Sequence, residues 1–286
     1  MTKITMACWM LTALMMTGCP DSDDNDNTNG NSPDDTDKDD TSSTDNDPEE
    51  SVDPKSLLDE ICTTEVAKMD DCDAVTDFRG TWQSVDGDGT STLTLNGDGT
   101  MTYVDEYDGE TDEDTGAWCV KGNQFFADFS DGDELEVEVF TTVISEDRFF
   151  DDILLRESGS GESGVWKNIE AECEQETDGD ETFTEKGVEV TTVTIDGDEF
   201  NYEEVLYYEE TGEEGGEEKE YLKGAVQWEG DKLVITIEDA SNSDFETGSD
   251  VACCAHNDAD LIGCDFWTPA DEIDCDELLD PMTRVE

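Results

Sequence analysis

Ten cysteines, a single histidine and 81 carboxylates are the side chains of this sequence with chemistry to offer. His256 stands close to Cys253, Cys254 and Cys264. Those are zinc-ligand types, but their spacing fits no zinc-binding pattern. A Ser-His-Asp triad would have to use the same histidine, and no Gly-x-Ser-x-Gly elbow accompanies it. A Cys-His nucleophile is not expected either, because cysteines at this density are expected to be oxidised. Among so many carboxylates close pairs arise by chance, and none stands out as an acid–base couple. The turns Asp86-Gly87-Asp88-Gly89 and Asn96-Gly97-Asp98-Gly99 carry oxygens of the kind calcium takes. Glycine and aspartate are also what tight hairpin turns require, and that is their expected use. The sequence therefore predicts no catalytic residue, no cofactor and no metal site, and the chain is not expected to be an enzyme.

The cysteines report on compartment. Lys3 followed by the apolar run Ile4 to Met16 has the form of a secretion signal over residues 1–18. The run is too short to span a bilayer, which takes about 20 residues. It ends in Met16-Thr17-Gly18-Cys19, which resembles the lipobox of bacterial lipoproteins. That resemblance implies cleavage before Cys19, diacylglycerol on its sulfur, and a membrane anchor in the bacterial cell envelope, at the outer membrane or cell surface rather than the inner membrane. Cys8 would leave with the signal. Cys62, Cys72, Cys119, Cys173, Cys253, Cys254, Cys264 and Cys275 then remain, an even set that predicts disulfides in an exported protein. Adjacent Cys253 and Cys254 should reach different partners. Cys62 and Cys72 would lie about 15 Å apart on a continuous helix, whereas a disulfide needs Cα atoms within about 7 Å. Either the helix breaks near Asp70-Asp71 or the two cysteines pair elsewhere.

The net charge of −67 repels nucleic acid and excludes it as a partner. Residues 19–54 hold almost no large apolar side chain and predict a disordered acidic tether. A short helix is expected within 55–77. Asp53 is placed to cap it and Pro54 to sit in its first turn. Leu58, Ile61, Cys62, Val66 and Met69 recur at helical spacing and should pack on the β region.

From Phe78 the period changes to two. Glu134-Leu135-Glu136-Val137-Glu138-Val139 separates carboxylates from aliphatics on opposite faces, the pattern of a half-buried antiparallel strand with its acid on the outer face. One pattern of landmarks occurs twice. Gly80-Thr81-Trp82, the turn Asn96 to Gly99, Gly116-Ala117-Trp118 and the turn Lys121-Gly122-Asn123 form the first copy. Gly164-Val165-Trp166, the turn Asp196-Gly197-Asp198, Gly224 to Trp228 and Glu229-Gly230-Asp231 form the second. Each copy carries about six strands joined by hairpin turns.

The Gly-x-Trp, the Asn-Gly-Asp-Gly-Thr turn and the Gly-Ala-Trp of the first copy resemble the lipocalin-like domains of bacterial lipoproteins. The resemblance implies a mainly β protein with two tandem antiparallel barrel or meander units, 78–157 and 164–250, and a cysteine-rich extension, 251–286, tied over the second. A single larger barrel made from both halves fits the same pattern. It also implies a non-enzymatic role, with a small apolar ligand held in a barrel. Trp118 and Trp228, read as equivalent positions, and Tyr103 and Tyr202 would line the cavity. The rival expectation is a structural or calcium-dependent surface protein with filled barrels, whose partner is another envelope component.

Overall fold

The computed structural model describes residues 53–69, 72, 78–86, 89–107, 109–130, 134–144, 148–150, 153–178, 181–212, 215–243, 245–256, 260–278 and 281–285. The expected signal segment, Cys19 and the expected tether as far as residue 52 lie outside them, while Asp53 and Pro54, at the end of that stretch, belong to the first helix. The chain is mainly β, as the period-two runs require. Its strands are β1 (Gly80–Asp86), β2 (Gly89–Leu95), β3 (Thr100–Tyr107), β4 (Glu110–Lys121), β5 (Gln124–Asp128), β6 (Leu135–Thr141), β7 (Val143–Ile144), β8 (Arg148–Phe150) and β9 (Leu154–Ser160). They continue with β10 (Ser163–Asp178), β11 (Glu181–Asp196), β12 (Glu199–Glu210), β13 (Gly216–Glu229), β14 (Lys232–Ala240), β15 (Asp250–His256), β16 (Leu261–Asp265) and β17 (Met282–Val285).

The antiparallel pairings form two closed circuits. Strands β10 to β16 pair in order, and β9 joins β16 back to β10, which closes an eight-stranded barrel. Strands β1 to β6 also pair in order. Thr142 then breaks the run, its N–H bonded to Asn123 O and its hydroxyl to Phe150 O. Beyond it β7 pairs with β8, β8 with β17, and β17 with β1. The strand that completes the first circuit therefore comes from the far end of the chain. The strand after β8 in sequence, β9, completes the second. Closing strands are exchanged between the two barrels. The stretch 78–157 thus lends β9 to the second circuit. The stretch 251–286 supplies β15 and β16 to the second circuit and β17 to the first.

The circuits share one seam, where β6 pairs with β10 over Leu135–Val139 and Ala171–Gln175. Thr141 settles the backbone at its end, with its hydroxyl 3.0 Å from Ile169 N and 3.3 Å from Ile169 O. Both barrels also carry a glycine at an irregular point of the ladder, Gly116 where β4 leaves β5 and Gly224 where β13 bulges against β14. A Cβ at Gly116 would meet Asp128 O at 2.1 Å, and one at Gly224 would meet Thr236 O at 2.4 Å.

The N-terminal helix α1 (Pro54–Glu60) is shorter than its spacing predicts, although Asp53 caps it and Pro54 opens it as expected. It ends because the hydroxyls of Thr63 and Thr64 both donate to Glu60 O, and the chain continues as two 3-10 turns. Leu57, Leu58, Ile61 and Val66 cover Val137, Val139, Ala171, Cys173, Val188 and Val190 at the seam. Cys62 and Cys72 do not pair with each other. Cys62 bonds Cys173 on β10, and Cys72 bonds Cys119 on β4. Cys253 pairs with Cys264 and Cys254 with Cys275, so the adjacent cysteines do reach different partners. A short helix α2 (Cys275–Leu278) leads towards β17.

Each closing strand places an arginine over the opening tryptophan. Arg284 lies opposite Trp82 with its guanidinium 4.5 Å from the ring, and Arg156 lies opposite Trp166 at 4.4 Å. Such a contact contributes about 0.5–2 kcal/mol, more when desolvated. Arg156 is 9% exposed and also bonds Ser163 O and Gly161 O, whereas Arg284 is exposed. Arg156→Ala should therefore destabilise more than Arg284→Ala, about 2–4 kcal/mol against about 1 kcal/mol. Equal losses in urea unfolding would contradict this.

Candidate functional site: the inward faces and mouths of the barrels

One end of each barrel is filled. In the first, Trp82, Leu95, Met101, Phe125 and Phe149 are fully buried, and Phe125 stacks on Phe140 at 5.0 Å. In the second, Trp166, Ile195, Leu222, Leu233, Ile235 and Ile237 fill the same region. Because strand residues alternate between faces, the inward face can be followed from this floor towards the other end. Along β3 it runs from Met101 to Tyr103 and Asp105, along β4 from Trp118 to Gly116 and Asp114, and along β6 from Phe140 to Glu138 and Glu136. In the second barrel it runs from Trp166 to Asn168, Glu170 and Glu172, from Val193 to Thr191 and Glu189, and from Phe200 to Tyr202 and Glu204. Apolar floors thus give way to tyrosines and carboxylates at the mouths.

This corrects the expected placement of the acid on β6. Val137 and Val139 point out of the barrel and are buried beneath α1, while Glu136 and Glu138 share the inward face with Phe140. The helix covers the aliphatic side, so the carboxylates take the other.

The mouth polar groups are organised. Ser91 donates to Asp105 at 3.0 Å, Thr191 to Glu189 at 3.3 Å, and the Tyr202 hydroxyl to Glu204. Burial, with the neighbouring Glu204 carboxylate, pushes the Tyr202 hydroxyl far up, so it stays a donor. Burial also raises Glu204, against the opposing pull of the Tyr202 hydrogen bond. Glu138 and Glu172 are pushed up to about 7, first by burial and then by surrounding carboxylates.

The four expected lining residues all face inward, but they are not equivalent in pairs as their order implies. Tyr103 and Tyr202 correspond, each two residues beyond the matching Met101 and Phe200. Trp118 corresponds instead to Val226, because Trp118 N–H bonds the turn carbonyl of Gly99 and Val226 N–H bonds that of Asp198, both at 2.9 Å. Trp228 lies one inward position beyond Val226. The difference shows in their indoles. Trp118 Nε1 donates to Asn96 O at 3.1 Å. Trp228 Nε1 is buried and has no hydrogen-bond partner among the described residues.

The other candidate chemistry is dispersed. Cys253, Cys254 and Cys264 are all in disulfides, and His256 packs against Phe150 with ring centroids 5.2 Å apart. Asp98 accepts from Thr100 N and Oγ1 within its own turn, and those bonds hold its carboxyl below the usual range. Gly87 and Asp88 of the other turn lie outside the described residues. Among the described residues no three His, Cys, Asp or Glu side chains converge as a metal site. No known protein family, curated protein or solved structure matches the chain.

Arg156 and Arg284 had a signal in the sequence. That signal is slight: each arginine stands two residues after a bulky apolar one, in Leu154-Leu155-Arg156 at the end of the first copy and in Met282-Thr283-Arg284 of the C-terminal extension. The carboxylate rows across the seam had none, because the pairing of β6 with β10 is not local.

A buried, unpaired donor costs about 1–3 kcal/mol. Trp228→Phe deletes the donor and keeps most of the ring, so it should leave stability unchanged or raise it by up to about 1 kcal/mol. Trp118→Phe deletes a satisfied donor and should lower it. Paired urea titrations distinguish the two, and a larger loss at Trp228 would show that its N–H is satisfied.

Proposed function

We propose that the chain is a non-enzymatic, lipid-anchored lipoprotein of the bacterial envelope, whose second barrel holds a small, largely apolar ligand. The lipobox-like Met16 to Cys19 supports the anchor. The observation that carries the ligand is the indole N–H of Trp228, which faces inward in a closed barrel, is buried and lacks a partner among the described residues. An acceptor atom on a bound molecule would satisfy it at the floor end of the barrel, while Tyr202, opposite Leu222 six residues back along β13, and Phe266, its ring centroid 4.7 Å from that of Tyr202, lie nearer the mouth. The apolar inward residues beside Trp228, Val226 and Leu233 among them, favour the body of such a ligand.

The experiment is native mass spectrometry of residues 53–286, exported to an oxidising compartment and purified without detergent. Added mass that disappears on denaturation is the expected result, and it should be reduced in a Trp228→Phe variant. A bare mass in both proteins would oppose the ligand.

A second function class has its own observation. Trp82, Trp166, Phe125 and Phe149 leave the floors filled by the protein itself. Small barrels are commonly filled in this way, and a bare mass would favour a structural role against another envelope component. The anchor is tested separately. Cys19→Ala should move the full-length protein from the membrane pellet to the soluble fraction, and retention in the pellet would argue against lipidation.

A further inference from the structure

Among the described residues the strand ladders of the two circuits join at one pair, β6 with β10. On its outer face the pair is apolar and covered by α1. On its inward face the register sets Glu138 directly opposite Glu172 and Glu136 opposite Glu174, and Glu174 is in turn opposite Glu185 on β11. Like charges directly opposite one another destabilise a sheet. We infer that this seam is a proton-operated latch, tight when the facing Glu138 and Glu172 carry protons and loosened when they ionise.

The groups around Glu138 and Glu172 are carboxylates. Glu138 faces Glu136 on its own strand, Glu172 and Glu174 across the seam, and Asp114 from β4. Glu172 faces Glu174 on its own strand, Glu185 from β11 and Glu136 from β6. The next inward positions on the neighbouring strands, Glu170, Glu189, Glu204 and Asp105, are acidic as well. Gly187 stands opposite Glu172 and offers it no polar side chain. Lys186, the cation next to Gly187 on β11, belongs to the opposite face. There it binds Leu58 O at 3.0 Å and Glu209 at 2.8 Å. Deprotonating the seam therefore places two desolvated negative charges, Glu138 and Glu172, directly opposite each other among further carboxylates, and their protons leave as a coupled pair.

The direction comes from linkage. In the unfolded chain these carboxyls titrate at about 4.3, whereas Glu138 and Glu172 in the fold are raised to about 7. The folded state thus keeps protons that the unfolded state has released. The seam is most stable below the usual carboxylate range and weakens as pH rises through about 7. Asp98, Glu217 and Asp265, whose carboxyls are held low, act in the opposite sense; none stands on β6 or β10, although Glu217 pairs with Lys55 of the covering helix at 3.7 Å.

The test is amide hydrogen exchange of the disulfide-intact protein at pH 5.5 and pH 8.0, corrected for intrinsic rates. Amides of residues 136–139 and 171–175 should lose at least tenfold in protection at the higher pH, while those of the β13–β14 pair change less than threefold. The double variant Glu138→Gln, Glu172→Gln should keep its seam protection at pH 8.0. A control with the same charge change at the far end of the second barrel, Glu199→Gln with Glu229→Gln, should behave as the wild type. Seam protection in the wild type that is constant, or that falls in step with β13–β14, overturns the latch whether or not the variant folds. A double variant that folds and keeps the full pH response overturns it too.

Discussion

The exchange of closing strands is the constraint on which the rest of the structure depends. A strand edge with unpaired N–H and C=O groups is costly when buried and a template for aggregation when exposed. Each barrel has one open position between its first strand and the last strand of its meander. In a simple tandem each copy would fill its own. Here β9 turns through Gly161 and Glu162 straight into β10, and that two-residue hairpin commits it to the second barrel. The edges of β1 and β8 are then left to β17. Arg156 and Arg284 show that the two closing strands do the same work, since each stacks its guanidinium on the opening tryptophan at nearly the same distance.

The seam and its cover make the second tie. The segment from Asp53 to Cys72 buries Leu57, Leu58, Ile61 and Val66 on the outer face of β6, β10 and β11. Its two disulfides run to different barrels, Cys62 to β10 and Cys72 to β4. A single short stretch is thereby bonded to both circuits at the place where they join. Loop closure over such separations favours the folded chain by removing conformations from the unfolded one. The apolar cover and the acidic inward face are two sides of the same strands, so the helix that stabilises the seam also fixes where the carboxylates must point.

Much of the architecture was legible because its determinants are local. Period-two runs marked the strands, Asn-Gly and Asp-Gly pairs marked the turns, and Asp53-Pro54 marked the start of the helix. The separation of Cys253 from Cys254 was implied by their adjacency. What escaped depends on partners distant in sequence. Nothing in Leu154 to Ser160 says that it pairs forward with β10, and nothing in Met282 to Val285 says that it returns to β1. The alternation Glu134 to Val139 defined two faces correctly but not which one points inward, because that is decided by α1. Matching Trp118 to Trp228 failed for a similar reason. Residue type suggested one alignment, while the hydrogen bonds to the Gly99 and Asp198 carbonyls set another.

The exchanged strands also order events in time. A chain made from its N-terminus has β1 and β8 complete long before β17 exists, and every strand of the second barrel intervenes. The first barrel must therefore wait as an open sheet with two free edges, while the second can close as soon as β16 is available. Long-range pairings of this kind fold slowly. They also leave an intermediate whose half-built barrel exposes aromatic side chains to other chains. The dense negative charge has a use at that stage, since mutual repulsion keeps such intermediates apart.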